Sequence, residues 1–336
     1  MAWSSVLWSS PGINAHNLNH FPLLPAASSP THSPYSTKIK TLLACKHTHY
    51  CRSLLRDFGP CKAKNREGFN EELQVQEDGD PVRRIALQAA LWSAEAAYIL
   101  WLFLLPYAPG DPVWSIKPET INDLLGLSLN FFFVVPILNS AGIHMIEEPV
   151  LHPVAEGLFN FVIGWTFMFA PLLFTDRRRD RYKGSLDVLW SLQMFLTNTF
   201  LIPYMAIRLN DIDVEQPPLK ASRLGSLMTR GASVVGLIGA AVCVTSALWA
   251  LFGRIDGGFG GIADRWQFCQ MYITSERLAY AFIWDICLYS IFQPWLIGGN
   301  LQNVRKSNEG LVGNLRFVPV LGLVAYLFCL DVDSEL

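Results

Sequence analysis

Charge is what this sequence has least of. Only 16% of its 336 residues are Asp, Glu, Lys or Arg, where soluble domains carry about 25%. With a net charge of −2 there is no basic field, which excludes a nucleic-acid partner. Histidine is almost as scarce, because beyond residue 60 only His144 and His152 occur. The seven cysteines form no CxxC pair, so neither a zinc site nor a disulfide framework is indicated. Cys243, Cys269, Cys287 and Cys329 lie in or beside apolar runs, where cysteine acts as a small hydrophobe. No Walker sequence, no GxGxxG opening a helix and no GxSxG is present, which leaves nucleotide-binding and hydrolase-elbow chemistry without support. The Gly257-Gly258-Phe259-Gly260-Gly261 turn has no Lys-Ser/Thr after it and reads as a loop.

A second absence is local. Residues 1–56 contain no Asp or Glu, but nine Ser, four Thr and five Lys or Arg. Low acidity with hydroxyl and basic residues is the composition of an organelle transit peptide. The Met-Ala start and modest arginine content point to the chloroplast, and no apolar core follows an early basic region as a secretory signal requires. Residues 1–60 are therefore expected to be a disordered transit peptide, and 61–82 an acidic flexible arm at the start of the mature chain.

What is present is apolar sequence: 51% of residues are hydrophobic and mean hydropathy is +0.27. Crossing a hydrocarbon core takes about 20 apolar residues in a helix. Seven runs qualify or come close, at 85–105, 124–141, 158–174, 188–207, 232–252, 278–297 and 317–330. Backbone groups in lipid must be satisfied within their own segment, so the runs are expected to be helices. The expected fold of 83–332 is all-α, a polytopic membrane helix bundle of six or seven transmembrane helices. With all seven runs crossing, Lys and Arg divide evenly between the two faces, so orientation stays open.

Ionisable groups inside spans are costly and tend to face an interior or a cavity. Glu95 lies near the middle of the first run and Asp285 about a third of the way into the sixth, with no Lys or Arg at mid-depth to pair with either. Each is either a ligand or proton site or an acid hydrogen-bonded to a neighbouring helix. Asn130, Asn139, Asn160, Gln193, Asn198 and Gln293 add uncharged polarity, for which helix cross-linking is the plain explanation. Pro136, Pro171, Pro203 and Pro294 are kink positions. Ala232, Gly236 and Ala240 form a small-residue stripe for close packing.

The connection at 144–153 holds the remaining chemistry. His144, Glu147, Glu148 and His152 offer imidazole and carboxylate for acid–base work or a transition metal. Pro149 and Pro153 interrupt any continuous helix there, and a polar surface hairpin is the plainer alternative. Two histidines fall short of the three His-rich boxes that membrane desaturases and hydroxylases require.

The acid-free leader, the basic block from Asp176 to Lys183 and the stretch Glu276-Arg277-Leu278-Ala279-Tyr280-Ala281-Phe282-Ile283-Trp284-Asp285 together resemble a group of plant plastid membrane proteins with cyanobacterial-type relatives. That resemblance implies a multi-pass chloroplast membrane protein, in thylakoid or inner envelope, and assigns no site residue. The expected role is binding or carrying a lipid, pigment or small solute, or assisting assembly of membrane complexes, with membrane lipids, pigment or other membrane proteins as partners. The alternative is a membrane enzyme acting on an isoprenoid or lipid, with Glu147, Glu148, Glu95 and Asp285 as catalytic candidates and His144 and His152 as metal candidates.

Overall fold

The bundle is organised around one helix, Pro153–Phe174. In the computed structural model, residues 81–144, 146–211 and 222–331 are described; the expected leader and nearly all of the acidic arm lie outside them. Numbering the helices in chain order gives α1 (Pro81–Ile99), α2 (Pro118–Leu129), α3 (Val134–Ser140) and this central helix, α4. Pro153 starts α4 with its φ already fixed, and the His152 ring accepts a hydrogen bond from the Val154 amide at 3.2 Å. The helix is apolar on every side, and 83% of its span-length window is buried, so it sits inside the bundle.

The partners of α4 define two ends of the molecule. Helix α8 (Ala232–Phe252) packs antiparallel to it through small residues. A Cβ on Gly157 would come within 2.6 Å of the Ser246 carbonyl oxygen, so the two backbones approach directly. The Ala232/Gly236 stripe is covered from within the chain: Ala232 is buried and Gly236 packs on Leu327. Helix α10 (Arg277–Gly299) runs parallel to α4, with Phe159 meeting Phe282, Thr166 bonded to Tyr289 at 2.6 Å, and Asn300 bonded to Asp176 at 3.0 Å. Helix α1 begins near the Asp176 end, where Gln88 donates to the Ala206 carbonyl. It continues through a π-helical turn, Leu100–Leu104, and leaves at the Glu156 end. There the Arg277 guanidinium collects the carbonyls of Leu102, Leu105, Ala108, Pro109 and Gly110, which fixes the exit of the chain. Helix α9 (Ile262–Ser275) lies at the same end, where Phe268 stacks on His152 at 3.4 Å between ring centroids.

Among the described residues, four helices are long and apolar enough to cross a membrane: α1 with its π turn, α4, α8 and α10. The pair α2–α3, bent by 40°, makes a fifth if taken as one span. The six or seven crossings expected from the sequence are not reached by this measure, because three apolar runs are broken. Their breaks fall at residues of positive φ that are not glycine: Phe132 and Phe133 between α2 and α3, Thr197 between α5 (Leu186–Leu196) and α6 (Asn198–Ile207), and Val320 before α12 (Leu321–Cys329). The first two breaks contain no proline, and the third includes Pro319 beside Val320.

The second and third broken pairs bring their two ends back to one side. After α6, Arg208 pairs with Asp176, and its carbonyl accepts from Arg181 at 3.1 Å, just ahead of the start of α5. After α12, Leu330 bridges back to Val304, and the Cys329 carbonyl accepts from the Arg305 amide at 3.0 Å, ahead of α11 (Glu309–Leu315). At the other end, Asn139 after the α2–α3 break donates to Glu148, and Asn130 at the break itself donates to the Pro149 carbonyl. A limb of ten or eleven residues, as in α5 and α6, reaches about 16 Å, roughly half a hydrocarbon core.

Candidate functional site

The α5–α6 hairpin carries its tip to Asp285, about a third of the way along α10. Thr197 stands at φ 42°, ψ −112°, outside the regions a threonine normally adopts. It is held there by its hydroxyl, which donates to Asp285 Oδ1 at 2.7 Å. Asn198 Nδ2 donates to the same oxygen at 2.7 Å and the Tyr98 hydroxyl at 3.0 Å. Tyr98 comes from α1, so three separate elements meet on one carboxylate. The N-terminus of α6 also points at it, and a helix start favours negative charge.

Around this carboxylate, polar groups outnumber their partners. Asn198 Oδ1 and Thr199 Oγ1 at the tip, and Glu95 Oε2 on α1, are buried without a hydrogen-bond partner, while Gln193 lies against the Tyr289 hydroxyl. Glu95 sits one turn from Tyr98 on α1, which packs along α6. Buried polar atoms in native proteins are almost always paired, so a cluster of exceptions calls for an explanation.

Tyr98 also faces outward, into a cleft of about 580 Å³ between α1, α6 and α10. Its walls are apolar and aromatic: Trp101, Leu105, Ile202, Tyr280, Trp284 and Leu288 are among them. Trp101 Nε1 donates to the Tyr280 hydroxyl at 3.3 Å across it. The π-helical turn of α1 lies on this wall, and such turns recur at functional sites.

No protein-family model, curated protein or solved structure matches this chain.

The other candidate residues are placed elsewhere. Glu147 is exposed. Glu148 is bonded by Arg254 at 2.6 Å and by Asn139 at 3.3 Å, and shares no partner with Asp285. Arg254 also grips the fully buried Glu156 at 2.7 and 2.8 Å, with Trp249 and Asn130 donating to the same carboxylate. The Glu156 hydrogen bonds, with both carboxylate charges, raise the Arg254 pKa above its ordinary value. This knot ties α2, α4 and the end of α8 together at one end of α4 and engages both Glu148 and Glu156. His144 is exposed. His152 caps α4 and stacks on Phe268; burial, then the Arg265 charge, push its pKa from 6.5 to about 4. Among the described residues, no three His, Cys, Asp or Glu side chains gather as a metal site.

The opposite end of α4 carries a second knot that the sequence did not flag. Asp176 accepts from Arg208 at 2.8 and 2.9 Å, from Tyr204 at 2.6 Å and from Asn300 at 3.0 Å. Burial raises the Asp176 pKa, but the Arg208 charge and these donors outweigh it and hold the carboxyl below its ordinary range. Thr197, Tyr98 and the aromatic cleft were likewise missed. The one sequence signal for the tip was the polar triplet Thr197-Asn198-Thr199 inside an apolar run.

Proposed function

We propose that this protein is an integral membrane protein of the plastid that binds an apolar ligand with one polar group, of the pigment, isoprenoid or lipid class. The observation that carries the reading is the cleft of about 580 Å³, whose Tyr98 wall joins the Asp285 centre. A long apolar body suits the aromatic walls, and a hydroxyl or carbonyl can reach the Tyr98 end. The transit-peptide composition and the resemblance to plant plastid proteins support the compartment.

We also propose a topology of four crossings, with the three broken runs as re-entrant hairpins in place of six or seven full spans. Its support is charge. With four crossings, only Lys117, Arg254, Arg265 and Arg277 among the described residues fall on the Glu156 side, against thirteen Lys and Arg on the Asp176 side. That asymmetry satisfies the positive-inside rule with Asp176 towards the stroma. The alternative of a membrane enzyme rests on Glu95 and Asp285 alone, since Glu148 is engaged and Glu147 exposed.

The test is purification from plastid membranes followed by mass spectrometry of bound pigments and lipids. One species enriched over bulk lipid is expected, and Trp101→Ala with Trp284→Ala should reduce its retention about tenfold. A bound fraction identical to bulk lipid, unchanged in that variant, refutes the reading. Conversion of the bound species, lost in Asp285→Asn with binding retained, would favour the enzyme.

A further inference from the structure

We infer that Arg316, on the turn between α11 and α12, binds the headgroup of an anionic lipid, with the phosphate or sulfonate oxygens on its guanidinium. Other arginines drawn into the bundle have acceptors: Arg208 has Asp176, Arg254 has Glu156, and Arg265 and Arg277 have backbone carbonyls. Arg316 is partly buried and differs from them. Its Nε is closed off without a hydrogen-bond partner, and no acid pairs with its guanidinium among the described residues. Its one neighbour of note is the Phe317 ring, whose centroid lies 4.7 Å from the guanidinium carbon. A cation shielded from water without a counter-charge is costly. An oxyanion on the outer edge of the fork offsets that cost through charge-assisted hydrogen bonds.

The placement selects a lipid over a free anion. The Arg316 carbonyl accepts from Gln293 Nε2 at 3.0 Å, so the Arg316 backbone lies at the Gln293 level of α10. The side chain runs back toward the Asp176 end, where a Cβ on Gly298 would collide with Nη1. From Gln293 to Gly298 the helix rises about 7.5 Å. The guanidinium thus reaches to within one turn of Asn300, the Asp176 partner, as a snorkelling arginine does. Its Nη nitrogens are not closed off as Nε is, which leaves them for a headgroup. The adjacent Phe317, Val318 and Leu321 are exposed apolar side chains, which an acyl chain covers and a free ion does not. At the mouth of the same hairpin the exposed Arg305 and Lys306 outnumber Glu309, so the local field also favours an anion.

The experiment uses the full chain, delipidated in a neutral detergent, with phosphatidylglycerol, phosphatidylcholine or inorganic phosphate added. Phosphatidylglycerol is expected to raise the melting temperature saturably by about 5 °C, and native mass spectrometry should find it bound above the phosphatidylcholine background. Arg316→Met and Arg316→Gln remove the charge and should each weaken that binding about tenfold, while Arg305→Gln stays within about twofold of the native protein. This site does not depend on what occupies the aromatic cleft, so Trp101→Ala with Trp284→Ala should leave it intact. Because Arg316 has no acid partner within the chain, neither Arg316 variant should melt below the native protein when lipid is absent. Failure of both to fold, or a clear fall in their melting temperature, would reveal an internal partner and overturn the inference. So would equal stabilisation by phosphatidylcholine, an equal shift with inorganic phosphate at the same anion concentration, or undiminished phosphatidylglycerol binding in the variants.

Discussion

Removing the Asp176 charge should destabilise the bundle more than any surface change. The structure allows the effect of Asp176→Asn to be worked out. The Asp176 and Arg208 side chains are 0% and 2% exposed, so water screens neither. The variant keeps the shape but leaves the guanidinium buried without a counter-charge, a change that costs about 3–5 kcal/mol. The new amide also turns two hydrogens toward Arg208, Tyr204 or Asn300, all of which are donors to the present carboxylate. At about 2–4 °C per kcal/mol for a domain of this size, the melting temperature should fall by roughly 10 °C.

The assay is thermal unfolding in detergent, followed by helicity and by aggregation. Asp176→Asn combined with Arg208→Gln removes both charges, so the double variant should recover part of the loss, and the two substitutions should be clearly non-additive. A single variant within about 2 °C of the native protein, or strict additivity in the double, would show that the pair is solvated and that the α4 end is not closed as described.

Topology and pH supply the other tests. In a cysteine-free background, Glu147→Cys and Ser307→Cys should react with an impermeant maleimide from opposite faces of the membrane, while Asp180→Cys and Ser307→Cys should share a face; any other pattern rejects four crossings. His152 has an ordinary pKa of 6.5 and is held at about 4 in the folded chain. The unfolded chain therefore binds the extra proton between those values, so this contribution is complete above about pH 6.5 and is lost as pH falls toward 4. Melting temperature should drop across that window, and His152→Phe, which keeps the stack on Phe268, should flatten the drop; an unchanged slope would assign it to other groups.

The all-helical class was legible because lipid leaves a long apolar run few alternatives. The number of crossings was not, because hydropathy measures solvent preference and not direction. The run at 188–207 is apolar enough to span, yet Thr197 reverses it, and nothing in composition separates a reversal from a kink. Glu95 and Asp285 were found by their cost inside an apolar run, a signal that survives without a structure. Arg208 and Asp176 were missed because each sits at the edge of a run, where a charge reads as a solvated boundary. The 144–153 segment drew notice for its residue types, but Glu147 is exposed and Glu148 serves Arg254, whose position 106 residues later no local pattern reveals.

The three hairpin tips explain why the amides are where they are. A chain that reverses inside a bundle exposes backbone groups that must find partners. At the first tip, Asn160 Oδ1 accepts from the Phe132 amide at 2.6 Å, and its Nδ2 donates to the Asn130 carbonyl at 3.2 Å. At the last, Gln293 Nε2 serves the Arg316 and Val318 carbonyls at 3.0 and 2.9 Å, and its oxygen takes the Val320 amide at 3.2 Å. In both, an amide on a continuous helix reads the broken backbone with donor and acceptor together. At the middle tip the group on the continuous helix is Asp285, which can only accept when ionised. It holds the side chains of Thr197 and Asn198 but offers nothing to carbonyls. The amide of Gln193, one turn before Thr197, faces the Tyr289 hydroxyl and serves neither end of the broken backbone. An asparagine at 285 could accept the same three hydrogen bonds, so the carboxylate is the feature that sets the middle tip apart from the other two.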